Sequence, residues 1–198
     1  MQKTHSSGPA RACDPTLDMA ITGLMAALVF TGTYFFKIPT AFGYTHLGDC
    51  MIILTVCLFG TRRGMLAGAI GAGLSDFIAG YAAWVLPTIV LKGGWALIMG
   101  LIMYRLLPHF KYSWLAGAVT GGIFHVIGYT LVKIPLYGGG VAMAECFTLV
   151  AQTAAGIVLG GVFMAILLYV SGKFKISWLK EWNLTIAILV AMIITALV

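Results

Sequence analysis

Asp49, Asp76, Lys92, His125, Lys133, Glu145 and Gln152 are set into otherwise apolar stretches, where a charge or a paired hydrogen-bonding group has to justify its place. The segment DFIAGYAAWVLPTIVLK, residues 76–92, holds the densest example: an acid and a base in two hydrophobic segments that meet at a short turn. Pro87 suits the first turn of a helix, where a missing N–H costs nothing, so one helix is predicted to end near Trp84 and another to start at Pro87. At about 1.5 Å per residue, Asp76 then lies roughly 12 Å below the turn and Lys92 roughly 8 Å below it, a gap that a Lys side chain can close. An ionisable group inside a membrane costs at least about 2.5 kcal/mol, so the two read as a binding site or as a neutralised structural pair. The chemistry on offer is recognition: carboxylates and an ammonium to hydrogen-bond ring nitrogens and hydroxyls, with Tyr81, Trp84, Trp95, Tyr129 and Tyr137 to stack on a flat ring or to serve as an interfacial belt. Mixed charge of this kind suits a polar, nearly neutral heterocycle.

The elements that position these groups follow from composition. With 61% hydrophobic and 9% charged residues among 198, the chain is an integral membrane protein. The predicted class is all-α, a polytopic helical bundle of six transmembrane helices with an apolar seventh stretch at the C-terminus. Residues 1–16 read as a polar tail, without a secretory signal or lipoprotein box, 17–171 as the six-helix membrane domain, and 172–198 as a basic connector followed by the apolar segment. The spans are expected at 17–36, 47–60, 65–83, 87–107, 114–134 and 144–170. The third, rich in Gly and Ala, is expected to be buried on most of its circumference. The seventh stretch, 182–198, is at the lower length limit for a span and could cross or lie along the interface.

The net charge of +6 is a topology signal and not a nucleic-acid patch. Lys3, Arg11, Arg62, Arg63, Arg105, Lys111, Lys173, Lys175 and Lys180 fall in the tail or in every second connection, which places the N-terminus in the cytoplasm. On that topology the polar residues named above lie at mid-depth or in the outer half of their spans. A proton relay needs groups through the full depth, whereas a pocket open to one face needs them gathered there, so the pattern points to a pocket entered from outside. Each also has a plainer reading: Asp49 and Glu145 near helix starts complement the dipole, Lys133 could snorkel, and His125 could be a satisfied core histidine. The loop KIPTAFGYTHLGD, residues 37–49, carries Phe42, Tyr44 and His46 and reads either as a lid over the pocket or as an interfacial anchor.

Catalytic signatures are missing: there is no GxSxG, HExxH or GxxxxGK[ST] pattern, so the chain reads as neither an enzyme nor an ATPase. Cys13, Cys50, Cys57 and Cys146 have no metal-ligand spacing, and no metal or cofactor is expected.

The succession GLMAAL (Gly23–Leu28), IPT with YTHLGD (Ile38–Asp49), LFGTRRGMLAGAIGAGLSDFIAGYAAW (Leu58–Trp84) and LPTIVLKG (Leu86–Gly93) resembles the substrate-binding S-components of energy-coupling factor (ECF) vitamin transporters. It is most similar to those of the pyridoxine and hydroxymethylpyrimidine type, over roughly residues 17–107. The resemblance implies a multi-pass S-component in the plasma membrane of a bacterium or archaeon, surrounded by lipid. It would capture a vitamin outside and work with a transmembrane T-component and two ABC ATPase subunits. It implies substrate-binding roles for His46, Asp49, Asp76, Trp84 and Lys92, to which the topology adds His125, Tyr129, Glu145 and Gln152. The family's small-residue docking motif on the first helix corresponds here to Gly23 and Ala27. A B6 vitamer or hydroxymethylpyrimidine is the expected ligand, with riboflavin and thiamine as further candidates. A stand-alone proton-coupled transporter using Asp76, Lys92 and His125 is the alternative.

Overall fold

The computed structural model describes residues 15–40 and 43–173. The chain is mostly helical: α1 (Pro15–Tyr34), α2 (Asp49–Phe59), α3 (Thr61–Ile78), α4 (Ala82–Leu101), α5 (Ser113–Tyr137) and α6 (Gly139–Lys173). Two short strands, β1 (Lys37–Thr40) and β2 (Gly43–His46), form an antiparallel hairpin between α1 and α2. This ribbon departs from the all-α expectation; alternating Tyr44 and His46 put two rings on one face, a period-2 signal masked by the loop-like Pro and Gly around it.

Four helices are long and apolar enough to cross a membrane: α1, α4 with its π-helical continuation Ile102–Leu106, α5 and α6. Apolar side chains on their outer faces and on α3, such as Phe77 at 67% and Phe147 at 82% exposure, form the kind of surface that a soluble protein does not leave bare. The eleven-residue α2 is too short for that class, and it is buried on nearly all sides. It forms the centre of the bundle, packed by α1, α3, α4 and α6, with α5 closing the ring between α4 and α6. Ile52, Ile53 and Val56 of α2 meet Val29, Ala72, Trp95, Met99 and Leu168 in the main core.

Small residues permit this close assembly. On α3, Gly68 faces Ile52, and Gly71 sits against the Ala26 carbonyl and Val29, so a side chain at either position would push helices apart. The opposite face of α3 exposes Leu66, Ile70, Leu74 and Phe77, so α3 is buried on one side and not round most of its circumference, contrary to expectation. Composition counted the small residues but not their single-faced spacing.

The joints are tight. Gly60 between α2 and α3, Gly80 between α3 and α4, and Gly138 between α5 and α6 have φ of 89°, 83° and 86°, a region that residues with a Cβ avoid. Gly80 therefore sets the α3–α4 turn at 79–81, and the expected break at 84–87 is corrected. Pro87 sits inside α4, where it removes the N–H that would bond the Ala83 carbonyl. Likewise α6 begins at Gly139 and not at 144, so Gly138 alone joins α5 to α6. The apolar stretch 182–198 and the tail 1–14 lie outside the described residues.

Candidate functional site

At the hairpin end of the bundle a cavity opens among α1, α3, α4, α5, α6 and the ribbon, with about 550 Å³ of atom-free space, its open mouth included. Every buried Asp, Glu, Lys and His among the described residues lines this cavity or bonds directly to a side chain that does. Their helices have little in common in sequence. What gathers them is that α2 starts, α3 ends, α4 starts, α5 ends and α6 starts at this one end.

Lys92 on α4 is the hub, 1% exposed. Its ammonium lies 2.5 Å from Asp49 Oδ1 at the start of α2 and 2.9 Å from His125 Nε2 on α5. Thr153 Oγ1 donates to the Leu149 carbonyl at 2.8 Å and lies 3.0 Å from His125 Nδ1, so it accepts the Nδ1 proton. His125 is thereby the Nδ1–H tautomer, and its Nε2 lone pair is turned to Lys92. Gln152 on α6 donates to Asp49 Oδ2 at 2.8 Å and accepts from Thr45 of the hairpin at 2.7 Å, which ties β2 to α6. A buried ion pair is expensive in itself, and saturation of nearly every donor and acceptor is what makes this one tolerable.

The expected Asp76–Lys92 pair does not form. Asp76 instead accepts from the Tyr44 hydroxyl of the hairpin, and Lys92 has gone to Asp49. Burial, reinforced by the Asp76 carboxylate, holds the Tyr44 hydroxyl well above the usual tyrosine range, so Tyr44 remains a donor. His46 accepts the Gly48 N–H at 3.2 Å through Nδ1. Burial, partly opposed by Asp49 and aided by Lys92, lowers the His46 imidazole to about 4, so it is neutral at pH 7.

One wall is aromatic. Trp84 stacks on Tyr129 with centroids 5.7 Å apart and on Tyr137 at 6.2 Å, and Trp84 Nε1 donates to the Tyr137 hydroxyl at 3.2 Å. The Tyr129 hydroxyl donates to Thr88 at 2.7 Å, and Trp95 lies under His125 at 4.7 Å. Beside the mouth, Lys133 on α5 pairs with Glu145 on α6 at 3.0 Å, a buried interaction across the Gly138 joint and not the snorkelling contact that sequence allowed.

Of the residues singled out in the sequence, Tyr44, His46, Asp76, Tyr81, Trp84, Lys92, His125, Tyr129, Lys133 and Gln152 border the cavity. Asp49 lies behind it, holding Lys92 and Gln152, and Glu145 holds Lys133. Thr33, Thr88 and Leu149 also border it and were not anticipated; single hydroxyl and apolar residues in apolar helices give no signal at the level of pattern. Thr33 Oγ1 is buried against Gly48 and has no hydrogen-bond partner among the described residues. Among the described residues no group of His, Cys, Asp and Glu is arranged to hold a metal ion. Gly23 and Ala27 are both exposed on the outer face of α1.

A family model described as ECF-type riboflavin transporter, S component, matches residues 15–169. The thiamine precursor transporter HmpT of Lactococcus lactis subsp. cremoris (strain MG1363) is 32% identical over 147 residues, 73% of this chain and 83% of that protein. A protein from Pyrococcus woesei described as uncharacterised is 41% identical over 124 residues, 63% of this chain and 82% of its own length.

Proposed function

The chain belongs to the ECF-type riboflavin transporter S-component family, and from that premise we propose that it captures a small water-soluble vitamin or vitamin precursor with a flat heteroaromatic ring, of the hydroxymethylpyrimidine or B6 kind. The observation that carries this reading is the cavity itself: a stacked aromatic wall of Trp84 and Tyr129 faces fixed polar groups, Asp76, Lys92, His125 and Gln152, at one end of an apolar bundle. The ring would lie against Trp84 and Tyr129, and its nitrogens and hydroxyls would meet Asp76, His46 and Lys92. Asp49 and Glu145 would act by holding the two lysines. The thiamine precursor named for the Lactococcus relative favours the pyrimidine over the larger riboflavin named for the family.

In this reading residues 17–171 form a six-helix S-component in the plasma membrane of a bacterium or archaeon, with the N-terminus in the cytoplasm and the cavity facing outwards. Uptake requires a T-component and two ATPases, and the exposed Gly23 and Ala27 of α1 form the smooth face on which the T-component docks. The hairpin is the cover of the site, fastened through Tyr44 to Asp76 and through Thr45 to Gln152.

Proteoliposomes test the division of labour. The chain alone should bind radiolabelled hydroxymethylpyrimidine stoichiometrically without accumulating it, and accumulation should need ATP with a T-component and ATPases. Accumulation by the chain alone that an uncoupler abolishes would replace this reading with the proton-coupled transporter.

A further inference from the structure

The cavity's charges do not cancel. Asp49 pairs with Lys92 and Glu145 with Lys133, carboxylate to ammonium in each case. His46 and His125 each present one ring nitrogen as an acceptor, to the Gly48 N–H and to Lys92 respectively. That leaves Asp76, 6% exposed, as the carboxylate with no cation of its own, since no ion pair within 4 Å includes it among the described residues.

The groups facing Asp76 from each packed element agree. From the hairpin, Tyr44 donates to Oδ1, while Lys37 lies over the Tyr34 and Tyr44 rings at 4.3 and 5.6 Å and is not ion-paired with the acid. From α4, the Thr88 hydroxyl faces the carboxylate and Lys92 is held by Asp49 and His125. From α5 comes the Tyr129 hydroxyl, committed to Thr88. Asp76 thus receives neutral donors only, in the cavity that Trp84 and Tyr129 wall. A carboxylate in so dry a place calls for a cationic partner, and among groups that enter this cavity the ligand is the one that can supply it.

We propose that the ligand is held as a cation, with a protonated ring nitrogen against Asp76. An aminopyrimidine protonated at the ring nitrogen next to its amine-bearing carbon presents a planar pair of donors and matches a carboxylate as a guanidinium does. With Asp76 ionised in the free protein, binding of the neutral form takes up one proton from solvent, which ends on the ring nitrogen. This rests on the capture reading above and adds the charge state of what is captured. It replaces the nearly neutral ligand that the sequence suggested, since that inference weighed all the charges together and pairing removes four of them.

Calorimetric titration of the detergent-purified protein with hydroxymethylpyrimidine tests it. The titration is run at a mildly alkaline pH where the free probe is neutral, in buffers of different ionisation enthalpy. The expected result is uptake of close to one proton per probe bound. Asp76→Asn should abolish that uptake and weaken binding by about 30-fold or more, the loss typical of a buried charge pair cut on one side. Tyr44→Phe, which leaves the carboxylate in place, should keep it. Tight binding by the wild type without proton uptake would overturn the cation and leave the capture reading standing. No binding of this probe or of other B-vitamin rings would overturn the capture reading itself. Should Asp76→Asn fail to fold, the wild-type proton count and Tyr44→Phe still decide.

Discussion

Asp49, Lys92 and His125 illustrate how single residues are kept polar inside an apolar bundle: each is the answer to another's unpaired group, and Thr153 and Gln152 close the chain at its two ends. His46 belongs to the same system but titrates in an accessible range. Folded, its imidazole is held down to about 4, whereas in an unfolded chain it takes a proton near 6.5. Between these values the unfolded state binds the proton and the folded state does not. The ligand-free protein should therefore lose stability as pH falls from about 6.5 towards 4, by up to about 1.4 kcal/mol per unit from this residue, and no further below. His46→Gln should flatten that part of a thermal-stability profile against pH; parallel wild-type and variant profiles would remove His46 from the account. At this scale the identities of the buried ionisable residues were legible, because a charge in an apolar run is conspicuous, whereas the buried threonines were not. Their partners were not: position along a helix gives height in the bundle but not azimuth, and the central placement of α2 is what hands Lys92 to Asp49 instead of Asp76.

Helix α3 shows what an element contributes. Its Gly64, Gly68 and Gly71 face let α1 and α2 approach, and its C-terminal turn then delivers Asp76 to the cavity beneath the hairpin. Gly71→Val would drive a side chain into the Ala26 carbonyl and Val29 and should cost about 1–3 kcal/mol, read as a lowered unfolding temperature in detergent. The same substitution at Gly23, where nothing lies within 4 Å of the missing Cβ, should leave that temperature unchanged. An equal loss at both positions would mean that helix propensity and not packing is being measured. Helices were legible here from apolar length alone. The joints were harder: proline drew the α3–α4 turn to Trp84–Pro87, whereas the chain turns at Gly80, whose positive φ suits a residue without a Cβ, and Pro87 lies inside α4. The hairpin was read only as an aromatic loop, since four-residue strands carry too little pattern to stand out.

For the molecule as a whole, the asymmetry between its two ends is the governing fact. The cavity end gathers the buried ionisable side chains, and the other end carries Arg62, Arg105 and Lys111 at the surface and the Arg63–Asp18 pair at 2.5 Å. That one-sidedness was visible in the sequence, because segment order and charge placement alone set which residues share an end. A cavity polar at one end, with an apolar core of Ile53, Met99 and Trp114 behind it, leaves no charged path across the bundle among the described residues, in keeping with the proposed capture role. Capture is most directly tested by tryptophan fluorescence of the purified protein during titration with hydroxymethylpyrimidine, pyridoxine, thiamine and riboflavin. Saturable quenching by one of them, strongly reduced in Trp84→Phe while that variant still binds the same compound by calorimetry, is the predicted result. A flat response to the whole set, in folded protein shown to be free of carried-over ligand and equally silent by calorimetry, would contradict it.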